Sequence, residues 1–329
     1  MKSFVLIIGN LFLICQCRIS WKFKGGQINM KKWLGGIMLS VALIFVLAAC
    51  SSDNNDANAD DPEDSDRLDE LKEDGAIIGF ADEKPYAYEE DGELKGVAVD
   101  VATKVLNDLG VDDVEGQLTD FGELIPGLQA NKFDIITASM AITPERCENV
   151  EFGKPEVVYG EGMVVQEGNP KDLTSYEDLA ADSDITLSIM AGATEIGFVQ
   201  EEGVDEGQIE EADDIPATFS AIESGRADAT TGTEMTIKMA YESADSENLE
   251  LVEDFEQPDI TGVPSYGAAA FNEDDDALRE AYNEQLEEFQ DTDEYEEMLA
   301  DNYFDDEDNI PDDDVTADMV CSEEVYEDR

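Results

Sequence analysis

The sequence predicts an α/β protein of two units joined by crossing strands, and three observations predict it. Short apolar strands alternate with amphipathic helices from about residue 67. The same alternation restarts after Asn169-Pro170. Extended apolar segments at 157–165 and 263–271 lie between and after the two runs, where strands crossing between two lobes belong.

Each element has a local reason. Ile77-Ile78-Gly79-Phe80 is short and apolar, as a buried strand is, and Ala98, Val101, Ala102, Val105, Leu106 and Leu109 recur at helical spacing until Gly110 ends the helix. A helix over 124–130 precedes a strand that begins Phe133-Asp134-Ile135-Ile136. Thr143-Pro144-Glu145 is a helix start, with Thr as cap, Pro in the first helical position and an acid in the first turn. Ser175 caps a short helix, and Ile185, Leu187 and Ile189 alternate as a strand. Helices over 214–223 and 233–243 flank a strand over 227–231, and Leu278, Tyr282, Leu286 and Phe289 mark an amphipathic helix packed back on the body. The two units are not detectable repeats of one another.

Charge limits the partners. The chain of 329 residues carries 82 Asp and Glu against 19 Lys and Arg, while 42% hydrophobic content is ample for buried cores. Six of the basic residues fall in 1–49, which holds no acid, so the remainder carries 13 bases against 82 acids. Nucleic acid and anionic lipid are repelled by such a surface. In molar salt the screening length falls to about 3 Å, which removes the long-range cost of the charge and leaves a hydrated carboxylate coat. The composition points to a protein of a salt-loving organism. No histidine occurs, which excludes His-based catalysis and His-containing metal sites; no metal and no cofactor is expected. Acid clusters such as "DDEDNIPDDDVTAD" lack a glycine where a calcium loop needs one and read as solvated surface.

The first fifty residues read as leader. Met30-Lys31-Lys32-Trp33 opens a basic region, 34–48 is apolar, and Leu47-Ala48-Ala49-Cys50 resembles the site at which a bacterial lipoprotein signal is cut. Cys50 would become the lipidated first residue of the mature chain, on the extracellular face of the cell membrane. Residues 1–29 are expected to be an untranslated extension: Lys24-Gly25-Gly26 can be encoded by AAAGGAGGT, a ribosome-binding site, shortly before Met30. Residues 30–49 would be the signal peptide, and 50–66, rich in Ser, Asn, Asp and Ala, the lipidated cysteine and a flexible acidic tether. Cys147 and Cys321 then remain as a pair outside the membrane, where a disulfide can persist; two free thiols are the alternative.

Arg146 stands out in a chain with so few cations. It follows the Thr143 cap at the end of a strand, where free N–H groups and a guanidinium together suit one carboxylate and where ligands of open α/β sheets bind. An ordinary surface ion pair is the competing reading of an isolated arginine. From about Arg67 onward the chain resembles the solute-binding proteins of ABC importers, in the branch that takes up polar amino acids. "FGELIPGLQANKFDIITASMAITPERCENVEFGKP" is similar to that branch's signature, in which the Arg binds a ligand carboxylate. More narrowly, "GFADEKPYAY", "LTDFGELIPGL", "TPERC" and "GNPKDLTSYEDLA" resemble the ectoine- and hydroxyectoine-binding proteins.

The resemblance implies a two-lobed periplasmic-binding-protein-like fold of type II with two strands as hinge, lobe 1 over 67–163 plus 265–329 and lobe 2 over 164–264. It implies a monomer that delivers a small zwitterion to an ABC permease and its ATPase. Arg146 would hold the ligand carboxylate, Glu83 would accept the ring N–H groups, and Tyr86 and Phe121 would stack on the ring, where a cation–π contact is worth about 0.5 to 2 kcal/mol. Ser139, Met140, Thr194 and Thr233 would complete the site, Thr194 from a helix start within "MAGATEIGF". A Cys147–Cys321 disulfide is likewise similar to the arrangement in ectoine binders. Two departures bear on the ligand. "ADATTGTE" puts Thr233 where relatives that bind α-amino acids carry an Asp for the α-ammonium, so either Glu234 compensates or the ligand lacks that group. Ala141 replaces an aromatic, which leaves the cage open, filled by a neighbour such as Tyr88, or built for another ligand. The alternatives are a binding protein for a polar amino acid such as glutamine or cystine, and an enzyme on the same fold, a dehydratase or lyase; the reading adopted is a binding protein and not an enzyme.

Overall fold

The structure, a computed structural model, describes residues 65–304 and 309–326. The upstream extension, the signal peptide, Cys50 and the tether up to residue 64 lie outside the described residues.

In chain order the elements are α1 (Ser65–Asp74), β1 (Ala76–Phe80), β2 (Tyr88–Glu90), β3 (Glu93–Lys95), α2 (Val97–Asp108), β4 (Val114–Leu118), α3 (Leu124–Gln129), β5 (Ile135–Ala141), α4 (Pro144–Cys147), β6 (Glu151–Phe152), β7 (Val157–Tyr159) and β8 (Glu161–Gln166). There follow α5 (Tyr176–Ala181), β9 (Leu187–Met190), α6 (Glu195–Glu201), β10 (Ile209–Ala212), α7 (Ile215–Glu223), β11 (Ala229–Thr233), α8 (Glu234–Ala244), β12 (Leu249–Leu251), β13 (Ser265–Phe271), α9 (Asp276–Gln290), α10 (Asp293–Asp301) and α11 (Ala317–Cys321).

Among the described residues two main sheets form, one in each lobe. The first runs β4-β1-β5-β13-β6, with β7 also on β13; the second runs β10-β9-β11-β8-β12. Strands joined through helices pair in parallel, β1 with β4 and β5, β9 with β10 and β11. The returning strands, β13 in the first sheet and β8 in the second, pair antiparallel to β5 and β11, so each sheet is mixed and not wholly parallel. The parallel part is what a strand-helix alternation imposes, and the antiparallel part is what a chain coming back from the other lobe imposes.

The crossing segment at 157–165 is two strands rather than one. β7 pairs with β13, and β8 pairs with β11 from Glu161 onward, so the change of sheet falls at Gly160 and not between residues 163 and 164. The segment at 263–271 is not itself a crossing strand, since β13 belongs wholly to the first sheet; the crossing lies before it. Gln257, in that connection, clamps the start of β8 by accepting from Glu161 N at 2.8 Å and donating to Glu161 O at 2.8 Å.

Helix burial follows the apolar spacing read from the sequence. In α2, Val97, Ala98, Val101, Ala102, Val105 and Leu106 face the core. Gly96 precedes them with φ 116°, and a Cβ there would stand 2.4 Å from Tyr86 O, so only glycine lets the 83–87 turn lie against the helix start. Leu278, Tyr282, Leu286 and Phe289 of α9 pack on the same core. Helix α1 begins at Ser65, inside the segment expected as tether, because Leu68 and Leu71 find that core too.

Candidate functional site

The site is assembled from the carboxyl ends of four strands. β1 leads into the turn carrying Glu83 and Tyr86, β5 ends at Ala141 just before α4, β9 ends at Met190 just before α6, and β11 ends at Thr233 just before α8. In a parallel pair these ends lie side by side, which is where side chains from successive loops can converge. Glu83, Tyr86, Phe121, Ser139, Met140, Arg146, Thr194 and Thr233 all line one cavity, together with Ala141, Tyr159, Met190 and Glu195. Its volume is about 30 Å³, the lobes lying closed on each other. That is room for about two waters, so a ligand needs the lobes further apart than this. A groove of about 760 Å³ opens on the other side of Arg146, between Phe121, Gly192 and Phe198 and the terminal residues Val320 and Tyr326.

Arg146 is buried and held from both lobes. Thr143 Oγ1 accepts from Arg146 N at 3.2 Å, fixing the one-turn helix α4. Nη1 donates to Ala141 O at 2.8 Å and Nη2 donates across the cleft to Gly192 O at 2.9 Å, while Phe121 lies 5.4 Å from the guanidinium carbon. Two of five N–H groups are thereby used, and the rest of the fork can still take a carboxylate. Burial works against its charge, and Tyr159, Glu195, Glu145 and Glu83 work for it.

Glu83 brings an acid to the same cavity. Burial pushes its carboxyl up to about 7, with the Thr236 hydroxyl pulling down, Glu195 pushing up and Arg146 pulling down. Thr236, on α8 of the other lobe, donates to Glu83 Oε1 at 2.7 Å, and Thr233 donates to Thr236 at 3.0 Å. Glu195, the first residue of α6, is a second buried acid on the cavity wall. Behind it Glu161 accepts from Tyr176 at 3.1 Å. Burial and the neighbouring Glu195 raise Glu161 strongly; Glu195 is raised by burial and held back by its own backbone N–H, Arg146 and Glu161.

The aromatic walls differ from expectation. Tyr88 does not fill the gap left by Ala141: it stands on β2 with the Lys84 ammonium 4.8 Å above its ring, away from the cavity. Tyr159 is there instead, packed edge-on to Tyr86 at 5.3 Å and donating to Ser139 O at 2.9 Å. Ser139 itself takes φ 42°, a left-handed conformation that a non-glycine residue rarely adopts, and its buried Oγ has no hydrogen-bond partner among the described residues. Gly267 on β13 makes room for this kink, since a Cβ there would stand 2.6 Å from Ser139 O. Nor does Glu234 replace the missing acid at 233, because it is exposed and points away from the cavity.

Glu195, Tyr159 and Thr236 were not singled out by the sequence. Glu195 carries a weak signal, an acid opening a helix inside "MAGATEIGF", but one acid among 82 gives no contrast. Cys147, next to Arg146, is joined to Cys321 by a disulfide.

Two lobes closing on a buried, charged and aromatic-walled cavity define a solute receptor. The pattern describing bacterial extracellular solute-binding proteins, family 3, matches residues 76–306, and the chain belongs to that family. It is 42% identical over 238 residues to the "Probable amino-acid ABC transporter periplasmic-binding protein y4tE" of Sinorhizobium fredii, covering 70% of this chain and 78% of the relative. It is 26% identical to the arginine-binding extracellular protein ArtP of Bacillus subtilis, over 82% of this chain and 96% of the relative. Among solved structures, EhuB in complex with hydroxyectoine aligns with a TM-score of 0.68 and 30% identity, over 81% of this chain and all of that one. An ancestral amino acid-binding protein described as a precursor of cyclohexadienyl dehydratase aligns at 0.60 and 26%, over 72% of this chain and 99% of that one. The homologues are binding proteins of ABC transporters, a family that works with a permease and an ATPase on a small solute. Among the described residues no helix is long and apolar enough to cross a membrane.

Proposed function

We propose that this chain binds ectoine or hydroxyectoine between its lobes and hands it to an ABC permease. The observation that carries the reading is one cavity lined by Arg146 for a carboxylate, Glu83 for a ring cation and the aromatic side chains of Tyr86, Phe121 and Tyr159 for the ring itself. Ser139 Oγ, buried without a protein partner, adds a polar group for the ligand to satisfy. Thr233 in place of an acid fits a ligand without a free α-ammonium. The likeness to EhuB supports the same choice. In this reading the chain is a monomeric carrier and not an enzyme, lobe 1 takes 67–163 plus 265–329 with its edge moved to Gly160, and Cys50 carries the lipid anchor on the outer face of the membrane. Closure is a population shift driven by a ligand that touches both lobes.

A second reading has its own support. Glu195 in the cavity wall could meet an α-ammonium that Thr233 cannot, which favours a polar amino acid such as glutamine. Calorimetric titration of residues 51–329 in molar salt with ectoine, hydroxyectoine, glycine betaine, glutamine, cystine and arginine separates the two. Ectoine or hydroxyectoine binding, weakened about thirtyfold or more in Arg146→Ala, is the expected result, since stripping one partner from a buried charge pair costs about 2 to 5 kcal/mol. Binding of an amino acid with no heat from ectoine refutes it.

A further inference from the structure

We infer that the first turn of α8 is a latch between the lobes, with Thr236 as the residue that positions Glu83. A buried threonine in a helix ordinarily turns its hydroxyl back to a carbonyl one turn earlier. Thr236 does not. It is 2% exposed and donates across the cleft to Glu83 Oε1 at 2.7 Å, and it is itself supplied by the Thr233 hydroxyl at 3.0 Å. The neighbouring Met235 packs against the apolar core of the opposite lobe. The turn is anchored in turn to the crossing segment, Glu234 N donating to Gly160 O at 2.9 Å. A polar and an apolar contact from one helical turn of lobe 2 thus both land on lobe 1.

Neither contact needs a ligand. The other direct bond described above, Arg146 to Gly192 O, uses the group that a ligand carboxylate would also engage, whereas Thr236 takes one oxygen of the Glu83 carboxylate and leaves the other. Among the described residues Oε1 has Thr236 and Oε2 has no hydrogen-bond partner, so the latch fixes which oxygen is left for a ligand cation. A single bond of this kind shifts an equilibrium by about ten-fold, the value where neutral and charged acceptors meet.

The latch rests on the two-lobed closure of the proposed function and not on the ligand's identity, and the test separates them. Spin labels at exposed positions in the two lobes, Glu115→Cys and Glu206→Cys, with Cys15, Cys17 and Cys50 changed to Ser, report the lobe separation of the full chain in molar salt by pulsed dipolar spectroscopy, without ligand and with ectoine. Expected is a closed population without ligand, with the closed-to-open ratio reduced about ten-fold in Thr236→Val and restored in Thr236→Ser. Glu83→Ala should have the same effect, and adding Thr236→Val to it should change nothing more, the mark of two residues acting through one bond. A wild-type chain wholly open without ligand, or a Thr236→Val distribution equal to wild type, overturns the latch. A latch that behaves as expected while ectoine leaves every distribution unmoved refutes only the ligand reading.

Discussion

Untying Cys147 from Cys321 should loosen the fold and the arginine that the fold presents. The bond spans 174 residues, with Cα atoms 6.0 Å apart, and links α4, which carries Arg146, to α11. The tail beyond it continues across the molecule, with Val320 and Tyr326 in the same apolar cluster as Met140 and Tyr266, and Tyr326 donating to Pro264 O at 3.2 Å. Loop-closure entropy for a cross-link of that span is about 5 kcal/mol at 25 °C, near the upper end of what removal of a native disulfide costs. For a chain of this size each kcal/mol moves the midpoint by about 2 °C, so Cys147→Ser with Cys321→Ser should lower Tm by about 10 °C in molar salt. Scanning calorimetry of wild type, the double variant and wild type under reductant measures it. The reasoning fails if the double variant melts within about 3 °C of wild type, or if reductant leaves wild type unmoved while the variant falls.

Two further outcomes are expected. Glu156 is buried with Tyr282 donating to Oε1 at 3.0 Å, and burial raises its carboxyl from an ordinary 4.5 to about 8. The native state therefore holds that proton more tightly than the unfolded chain does, which stabilises fully below pH 4.5 and is lost as pH rises through about 8. Urea midpoints at pH 5 and pH 9 should show Glu156→Gln gaining on wild type at the higher pH, and a parallel pH dependence in both proteins would be the contrary result. Gly267→Ala should destabilise by about 1 to 3 kcal/mol through overpacking, since the new Cβ meets Ser139 O at 2.6 Å and the Tyr159 ring at 2.9 Å; thermal melts that match wild type would show that the Ser139 kink is not held from β13.

The site was legible where a residue has a local signature. Thr143-Pro144-Glu145 states a helix start in three letters, so Arg146 could be placed at a strand end before any fold was known, and the Thr143 cap is present at 3.2 Å. The aromatic partner was not legible. Tyr88 lies close to Tyr86 in sequence, yet it opens the outlying strand β2, half-buried under the Lys84 ammonium, while Tyr159 arrives from a strand seventy-odd residues on through pairing with β13.

By itself, the sequence determined the two α/β units, the helix faces, the excess of acids and the place of Arg146 at a helix start after a strand, because periodicity, capping and charge are properties of neighbours along the chain. Only the tertiary structure decided that Thr236 reaches Glu83, that Glu195 backs onto Glu161 and that Gly160 is where the chain leaves one sheet for the other. Those depend on which carboxylates are taken out of water and which surfaces meet across the cleft, and in a chain where acids are everywhere, burial alone distinguishes the few that matter.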